Sequence, residues 1–395
     1  MTKHTKRNKK NGLLACPALL LLAVLLAGFT LLNLFWPKRE TSELENRRLA
    51  QLPAFSLKAL ADGSWTSGFA SYMQDQIALR DTWIDLESDA NALLLQKAEE
   101  GGILLGKDGW MFTKQFGVTA ATQKQLDKNV DAVITFAQRH PGQVSFLLAP
   151  SASTIYPEEL PAGAPMIDEN GMLDSIFSKI SPYASVLDLR ESFTANKQSY
   201  LYYKTDHHWT TAGAYLAYQQ FCAQQGLAPF DTAAHQSVEV GDFYGTHYST
   251  ARWWNVHPDT ITYYPLENSM TIMQPSSETE FAPLATENLI NTEKFATRDK
   301  YAAFLDGNNG YSVIEGNGTG GILVVKDSYA NCFVPFLTEN YAKIGVIDFR
   351  NFSYGLDALM ESEGYDQVLV LYNFQTFISD AKAFNISRPS SGKAN

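Results

Sequence analysis

The sequence position of one serine is suited to a catalytic nucleophile. Ser328 lies in the segment KDSYAN (326–331), directly after the apolar run GILVV (321–325) and before a stretch with helical spacing. A serine at the carboxyl end of a strand has its hydroxyl at the edge of a sheet and its N–H at a helix start, where developing negative charge is stabilised. Asp327 and Ser328 are also ordinary helix-capping residues, so the assignment requires a base.

The segment KTDHHWTTAG (204–213) supplies such a base. Asp206 and His208 place a carboxylate near an imidazole, the pair that holds one ring in the tautomer needed for proton abstraction. Because adjacent side chains in a loop point in different directions, we expect Asp206 and His208 to face one cleft. His207 is expected to point away, in a packing or supporting role. Together the two segments predict a triad of Ser328, His208 and Asp206.

The elements that would position this triad alternate along the chain. Apolar runs of strand length cover residues 143–149, 184–189, 321–325, 344–347 and 368–371. Their alternation with helical stretches predicts an α/β fold with a doubly wound, mostly parallel five-stranded sheet. A helix over 211–225, capped by Thr210 or Thr211, follows the acid-imidazole loop. The stretch 227–320 interrupts this rhythm and is interpreted as an inserted subdomain.

The amino-terminal end predicts a membrane anchor. Residues 13–36 carry no charge, and at ~1.5 Å per residue they are long enough to cross a hydrocarbon core of about 30 Å. The Lys and Arg residues within 1–12 mark the cytoplasmic side, so the chain after about residue 37 is expected to be extracytoplasmic. A cleaved signal peptide is the alternative. The apolar stretch is longer than usual for one and no small-x-small cleavage site follows it.

Composition narrows the classes of function. The chain has 395 residues, 45% of them apolar, and a net charge of -11, which is unlike a nucleic-acid-binding domain. Three cysteines without a Cys-x-x-Cys pair argue against a disulfide scaffold or structural zinc. Cys222 and Cys332 are interpreted as buried free thiols, with a disulfide between them as the alternative.

The expected organisation has seven segments. They are a basic cytoplasmic tail (1–12), a transmembrane helix (13–36), a juxtamembrane and helical segment (37–100), the first part of the main domain (101–226), the insertion (227–320), the second part with the nucleophile strand (321–387), and a disordered tail (388–395).

Read from the serine strand onward, the order of strands and polar residues resembles that of the SGNH (GDSL-type) hydrolases after a circular permutation. The resemblance matches Asp327 and Ser328 to the family's Gly-Asp-Ser motif and Asp206 with His208 to its Asp-x-x-His loop. Asn373 matches the asparagine that follows the third strand.

The chain departs from the SGNH pattern at three places. Lys326 stands where glycine is usual, the spacing from Asp to His is one residue shorter, and Arg350 or Asn351 occupies the region of an oxyanion-site glycine. The resemblance implies that Ser328 N–H and the Asn373 amide stabilise the oxyanion, with Arg350 as a charged supplement or substrate contact.

Four segments together resemble the DHHW-motif family, a relative of the alginate O-acetyltransferase-like proteins. They are ENRRLAQLPAF (45–55), GKDGWMF (106–112), TDHHWT (205–210) and VVKDSYANCFVPFL (324–337), and the resemblance spans residues 43–377. It implies a membrane-anchored, extracytoplasmic SGNH-type domain that acts on cell-surface polysaccharide. It also implies a multi-spanning membrane O-acyltransferase as a partner that supplies the acyl group.

The resulting hypothesis is an enzyme that forms an acyl-serine, which a sugar hydroxyl or water then resolves; no cofactor is expected. Trp209 and Tyr203 are candidate glycan contacts, together with Tyr202, Trp253 and Trp254, although a place in the core is the more common role for each of these side chains.

Two other hypotheses remain open. A non-catalytic module of a polysaccharide-modifying system would keep the fold and use the cleft to bind glycan or a partner. A metal-dependent phosphoesterase would use the Asp-His-His segment, with His247, His257 and Asp242 as the candidate additional ligands.

Overall fold

The computed structural model describes residues 17–45 and 47–390. The expected basic tail, Cys16 and residues 391–395 of the expected terminal tail lie outside the described residues. The chain divides into two compact units, the first ending at Glu87 and the second beginning at Ser88.

The helices and strands are numbered here in chain order. The helices are α1 Pro17–Phe35, α2 Leu57–Ala61, α3 Ser64–Asp75, α4 Arg80–Leu93, α5 Ala120–Arg139, α6 Ala152–Ile155, α7 Glu169–Ile180, α8 Arg190–Ala195, α9 Thr211–Gln225, α10 Thr246–Ala251, α11 Asp357–Glu363 and α12 Phe374–Ser379. The strands are β1 Thr41–Ser42, β2 Arg47–Arg48, β3 Glu99–Glu100, β4 Ile103–Leu105, β5 Met111–Thr113, β6 Val144–Ala149, β7 Ser185–Leu187, β8 Val238–Phe243, β9 Asp259–Tyr263, β10 Ser269–Pro275, β11 Phe281–Asn288, β12 Tyr311–Glu315, β13 Gly321–Lys326, β14 Lys343–Ile347 and β15 Gln367–Asn373.

Helix α1 lies within the expected apolar span. Among the residues that the structure describes, it is the one helix long and apolar enough to cross a membrane. A signal sequence near the amino terminus can also meet this criterion of length and hydropathy, so the criterion does not distinguish the two interpretations of the amino-terminal end.

A central mixed sheet organises the second unit. Its strand order is β11-β10-β12-β14-β13-β15-β6-β7. The five strands from β14 to β7 are parallel and are those expected from the apolar runs. The prediction of a five-stranded sheet was incomplete, because β12, β10 and β11 add an antiparallel edge beyond β14. These three strands come from the stretch 227–320, so part of that stretch extends the sheet, whereas its strands β8 and β9 form a separate two-stranded sheet.

Both faces of the sheet are covered. In β13, Ile322 and Val324 point into one buried cluster, whereas Leu323 and Val325 point into a second cluster on the opposite face. Alternation of side chains along a strand divides one apolar run between two cores in this way. The expected doubly wound arrangement is thus present around the parallel strands.

The stretch after β13 differs from the expected helix. It forms two 3-10 turns, Ser328–Cys332 and Val334–Glu339, instead of an α-helix. Pro335 has no N–H to donate within a continuous helix and lies in the first turn of the second segment, where that donor is not needed, which is consistent with the interruption. Ser328 therefore opens a turn of five residues, whose dipole is smaller than that of a full helix.

Asn129 connects α5 to the element that follows the last strand. Its side chain is fully buried, and Nδ2 donates to Phe377 O at 2.7 Å and to Asp380 O at 3.0 Å. These carbonyls lie at the carboxyl end of α12, a helix that begins directly after Asn373. The contact therefore fixes the helix that Asn373 caps.

Replacing Asn129 by alanine should lower the free energy of unfolding by about 1–3 kcal/mol, because the buried carbonyl of Phe377 and the partly buried carbonyl of Asp380 lose their donor. Chemical denaturation of the full chain measures this change. Lys124→Ala, at an exposed position of the same helix, is the matched control and should change stability by less than about 0.5 kcal/mol. Equal stability of the two variants would contradict the role given to Asn129.

Candidate active site

Three side chains from distant parts of the chain form a continuous hydrogen-bonded line. His208 Nε2 lies 2.7 Å from Ser328 Oγ, and His208 Nδ1 lies 2.5 Å from Asp206 Oδ1. If Nδ1–H donates to the carboxylate, Nε2 keeps its lone pair to accept the Ser328 O–H. The structure thus brings together the three residues that the sequence singled out as a triad. The geometry is that of a nucleophile, a general base and a residue that orients the base.

Asp206 is buried and all its acceptor positions are occupied on both oxygens. Oδ1 accepts from His208 N–H at 2.9 Å as well as from the imidazole, and Oδ2 accepts from Thr246 N–H at 2.7 Å and Thr246 Oγ1 at 3.0 Å. Burial alone would raise the pKa of the Asp206 carboxyl. The neighbouring His208 and His207 imidazoles and the Thr246 N–H outweigh it and hold this pKa well below its ordinary value.

Tyr301 fixes the orientation of the His208 ring. The two rings stack with centroids 3.8 Å apart and planes inclined by 14°. Tyr301 Oη donates to Ser328 O at 3.1 Å, so the same side chain also contacts the serine turn. The imidazole is therefore held from its edge by Asp206 and over its face by Tyr301.

Asp327 fastens the serine turn to the neighbouring strand. Its Oδ1 accepts from Tyr329 N–H at 2.9 Å and its Oδ2 accepts from Asn373 N–H at 2.8 Å. Asp327 is fully buried, and burial raises the pKa of its carboxyl. The capping role foreseen as an alternative is thus real for Asp327, whereas the Ser328 hydroxyl is engaged with His208.

Asn373 ends β15 beside the serine turn. Its Oδ1 accepts from Gln375 N–H and Thr376 N–H, which fixes the orientation of the amide. Nδ2 makes one long contact, 3.5 Å to Ala149 O. Because Nδ2 carries two hydrogens, the amide retains donor capacity for an oxyanion.

Arg350 follows β14 and is held by a carboxylate. Its guanidinium forms a bidentate pair with the buried Asp348, whose Oδ2 also lies 3.6 Å from Lys326 Nζ. Burial lowers the pKa of Lys326 to about 8, although Asp348 opposes this shift. Among the described residues, the hydrogen bonds of the Arg350 guanidinium go to Asp348, and the structure does not join it to Ser328 or Asn373.

His207 does not point away from the cleft as expected. Its ring lies 3.8 Å from the His208 ring, and its Nδ1 lies 2.6 Å from Thr246 Oγ1. Tyr329 Oη donates to the His207 carbonyl. His207 therefore supports the loop from the side opposite Tyr301, within contact of the proposed base.

The same loop offers one group of possible metal ligands. Within residues 17–45 and 47–390, the group of three suitable side chains is Asp206, His207 and His208, whose ligand atoms lie within 4.8 Å of one another. An ion there would have to displace hydrogen bonds to Thr246 or Ser328 that already use these atoms. His247, His257 and Asp242, the additional ligands considered, do not belong to this group.

Two expected glycan contacts are instead core residues. Trp209 and Tyr203 are both fully buried, so neither can stack on a sugar. Trp209 Nε1 donates to Tyr329 O at 2.8 Å, which ties the acid-imidazole loop to the serine turn. Tyr202 and Trp253 are buried as well, whereas Trp254 is exposed. The expectation failed because a short aromatic-rich run gives no period from which burial can be derived.

Sequence reasoning missed the supports that the stretch 227–320 contributes. Thr246 and Tyr301 contact the acid and the base, and Asp259 holds the start of the loop through Lys204 N–H at 2.9 Å and Thr205 N–H at 2.8 Å. The one local signal of these supports in the sequence was Gly245, because a residue with a side chain would clash with Asp206 at this position. A Cβ there would lie 2.1 Å from Asp206 Cβ and 2.4 Å from Asp206 Oδ2.

Cys222 and Cys332 are both buried free thiols in the structure. The interpretation as unpaired core residues therefore applies, and neither thiol takes part in the hydrogen-bonded line.

Tyr301→Ala should slow the reaction of Ser328 with a sulfonyl fluoride by about tenfold to 100-fold, because the imidazole loses the face that orients it. Labelling followed by intact-mass spectrometry gives the rate. Tyr301→Phe keeps the stacked ring and serves as the control, with a rate close to that of the wild type. A rate unchanged in Tyr301→Ala would refute the orienting role.

Gly245→Ala should reduce the same labelling rate by about 100-fold, since the added methyl group displaces Asp206 and with it His208. Gly241→Ala is the matched control, because an added Cβ there meets nothing within 4 Å. Comparable labelling of the two variants would show that Asp206 does not depend on this close approach.

Comparison with known proteins matches the region that contains both motifs. The model of the family described as "DHHW protein" matches residues 169–347. The probable alginate O-acetylase AlgJ of Pseudomonas syringae pv. tomato is 23% identical over 185 residues, which cover 45% of this chain and 47% of that protein. Its namesake from Pseudomonas aeruginosa is 24% identical over 187 residues, with the same coverage. The chain thus spans about half the length of the curated relatives it matches.

Solved structures show the same fold over most of the chain. A DHHW family protein from Eubacterium siraeum has a TM-score of 0.63 at 22% identity and covers 74% of this chain and 97% of its own. Bacillus cereus PatB1 with a sulfonyl adduct has a TM-score of 0.56 at 18% identity, covering 72% and 97%. The resemblance to the DHHW family that the motifs indicated is therefore confirmed over residues 169–347, the part of the chain that the family model matches.

Proposed function

We propose that this chain is a membrane-anchored, extracytoplasmic serine enzyme that transfers or hydrolyses acyl groups, O-acetyl above all, on cell-surface polysaccharide. The observation that carries the proposal is the line Asp206–His208–Ser328, with contacts of 2.5 and 2.7 Å. Such a line activates an otherwise weak hydroxyl nucleophile.

In the first half-reaction, Ser328 Oγ attacks the carbonyl carbon of an acyl ester while His208 Nε2 accepts its proton. Asp206, held ionised, stabilises the imidazolium that forms. The tetrahedral intermediate collapses when the ester C–O bond breaks and His208 returns the proton to the leaving oxygen. An acyl-serine and a free hydroxyl compound result.

In the second half-reaction, a sugar hydroxyl or a water molecule attacks the acyl-serine. His208 takes the proton of the attacking hydroxyl and then gives it to Ser328 Oγ as the acyl-oxygen bond breaks. Attack by sugar completes transfer, and attack by water completes hydrolysis. The negative charge on the carbonyl oxygen would be stabilised by Ser328 N–H and Asn373 Nδ2, with Arg350 as a charged supplement or substrate contact.

The assignment of acyl chemistry is supported by the relatives named as probable alginate O-acetylases, although they share only part of their length with this chain. Helix α1 would hold the enzyme at the outer side of the membrane, and a multi-spanning membrane O-acyltransferase would deliver the acyl group to it. We also interpret the order of β13 after the acid-imidazole loop as a circular permutation of the SGNH arrangement.

Ser328→Ala should lower the turnover of an acetyl ester by at least about 1,000-fold, because no other group supplies the attacking oxygen. Release of 4-nitrophenol from its acetate ester by the full chain measures this. Ser353→Ala, at an exposed position, is the control and should turn over ester at the wild-type rate.

Labelling with a sulfonyl fluoride decides between an enzyme and a non-catalytic module. Mass added at Ser328 in the wild type, and absent in Ser328→Ala, supports the enzyme. Full ester turnover by Ser328→Ala would disprove it, and so would a wild-type serine that resists the probe.

A further inference from the structure

An uncharged groove runs along α9, next to the end of the acid-imidazole loop. It has a volume of about 310 Å³ and lies between α9, strand β9 and the loop that precedes Tyr202. A volume of this size is within the range of small-molecule sites. The sequence motifs gave no indication of it, and the triad residues do not line it.

The lining of the groove has an unusual composition. None of the residues that line it is charged, and most carry a hydroxyl, a phenol or an amide group. Tyr200, Tyr215 and Tyr264 contribute partly exposed rings, and Asn196 and Gln219 are exposed amides at the rim. Hydroxyl and amide groups both donate and accept hydrogen bonds, whereas the rings offer flat apolar surface.

Several polar groups of the groove are held by the protein itself. Thr210 Oγ1 donates to Tyr200 O at 2.6 Å, Tyr215 Oη donates to Phe230 O at 2.7 Å, and Tyr200 Oη donates to Asp259. The oxygens fixed in this way retain acceptor capacity toward the groove. A ligand therefore meets a surface that is already ordered, which reduces the entropy lost on binding.

These features suit a ligand that has many hydroxyl groups and no net charge. A polyanion would find no cation in the groove and would approach a chain of net charge -11, with 42 Asp and Glu against 31 Lys and Arg. Sugar rings combine hydroxyl edges with apolar faces, which match the amides and the tyrosine rings respectively. Neutral glycan is the class of ligand that the lining favours.

The groove and the triad share one loop. Asp259, which binds Tyr200 in the groove wall, also accepts hydrogen bonds from Lys204 N–H and Thr205 N–H, directly before Asp206. Thr210 lies in the groove lining and caps α9 two residues after His208. A chain bound in the groove is thereby placed next to the loop that carries the base.

We infer that this groove binds an uncharged segment of glycan and so holds the acceptor chain of the acyl transfer. The inference rests on the proposed function and adds the substrate class to it. It differs from what the names of the alginate-directed relatives would suggest, since alginate is a polyanion.

The test uses the full chain in lipid nanodiscs with Ser328→Ala, so that no turnover occurs during titration. Calorimetry measures binding of cellohexaose, mannohexaose and chitohexaose as neutral probes and of hexamannuronate as the anionic probe. We expect at least one neutral probe to bind more tightly than hexamannuronate. Gln219→Ala and Tyr264→Ala should each weaken that binding about tenfold, equivalent to ~1.4 kcal/mol.

Gln224→Ala is the matched control, because Gln224 is exposed on α9 and lies outside the groove. The Gln224→Ala protein should bind the neutral probe with the same affinity as the Ser328→Ala protein without this change. Tyr264 packs against core rings, so the exposed Gln219 provides the variant that does not depend on folding. Tighter binding of hexamannuronate, binding of no neutral probe, or unchanged affinity in Gln219→Ala would overturn the inference. Turnover of the small acetate ester does not involve the groove, so it tests the proposed function separately.

Discussion

The candidate site depends on one buried carboxylate that the fold keeps ionised. Asp206 is buried, yet four hydrogen bonds from His208 and Thr246 occupy its two oxygens. A buried carboxylate is costly unless it is paired and hydrogen-bonded, and here the partners both stabilise it and fix its direction. The position of the imidazole, and through it the state of the serine hydroxyl, follows from this arrangement.

The sheet supplies the opposite half of the site. Strands β13 and β15 are parallel neighbours, so their carboxyl ends bring Ser328 and Asn373 to one edge. Asp327 fastens these ends together through Asn373 N–H. Lys326, the last residue of β13, and Asp348, which follows β14, form a buried charged pair, and Asp348 also binds the Arg350 guanidinium. The serine turn is thus positioned by the register of two strands together with the Asp327 side chain, whereas the acid-imidazole loop is held mainly by side chains from distant segments.

Much of this arrangement could be predicted from the sequence, for identifiable physical reasons. The parallel strands are continuous apolar runs, and α9 begins at a threonine cap, so both have local signals. Residues 206, 208 and 328 could be paired because nucleophile chemistry requires those residue types. The edge strands could not be found in this way, since β11 is half exposed and carries no clear alternation.

Like the edge strands, the burial of Trp209 and Tyr203 could not be predicted from the sequence, because it depends on contacts with residues that are distant in the chain. Tyr203, for example, contacts the rings of Phe243 and Tyr301. The supports at Thr246, Asp259 and Tyr301 have the same origin, for a single hydroxyl or carboxylate in an irregular stretch has no distinguishing pattern. Local signals identify the reacting groups, but the residues that hold them in place are known only from tertiary structure.

The placement of these supports has a consequence for biosynthesis. On the ribosome the acid and the imidazole are made 120 residues before the serine, and the segment that braces them emerges in between. Since domains fold as units, a nascent chain that has released only residues up to about 226 possesses the acid-imidazole loop without its braces. The hydrogen-bonded line from Asp206 through His208 to Ser328 can therefore form only after β13 and the residues that follow it have been synthesised.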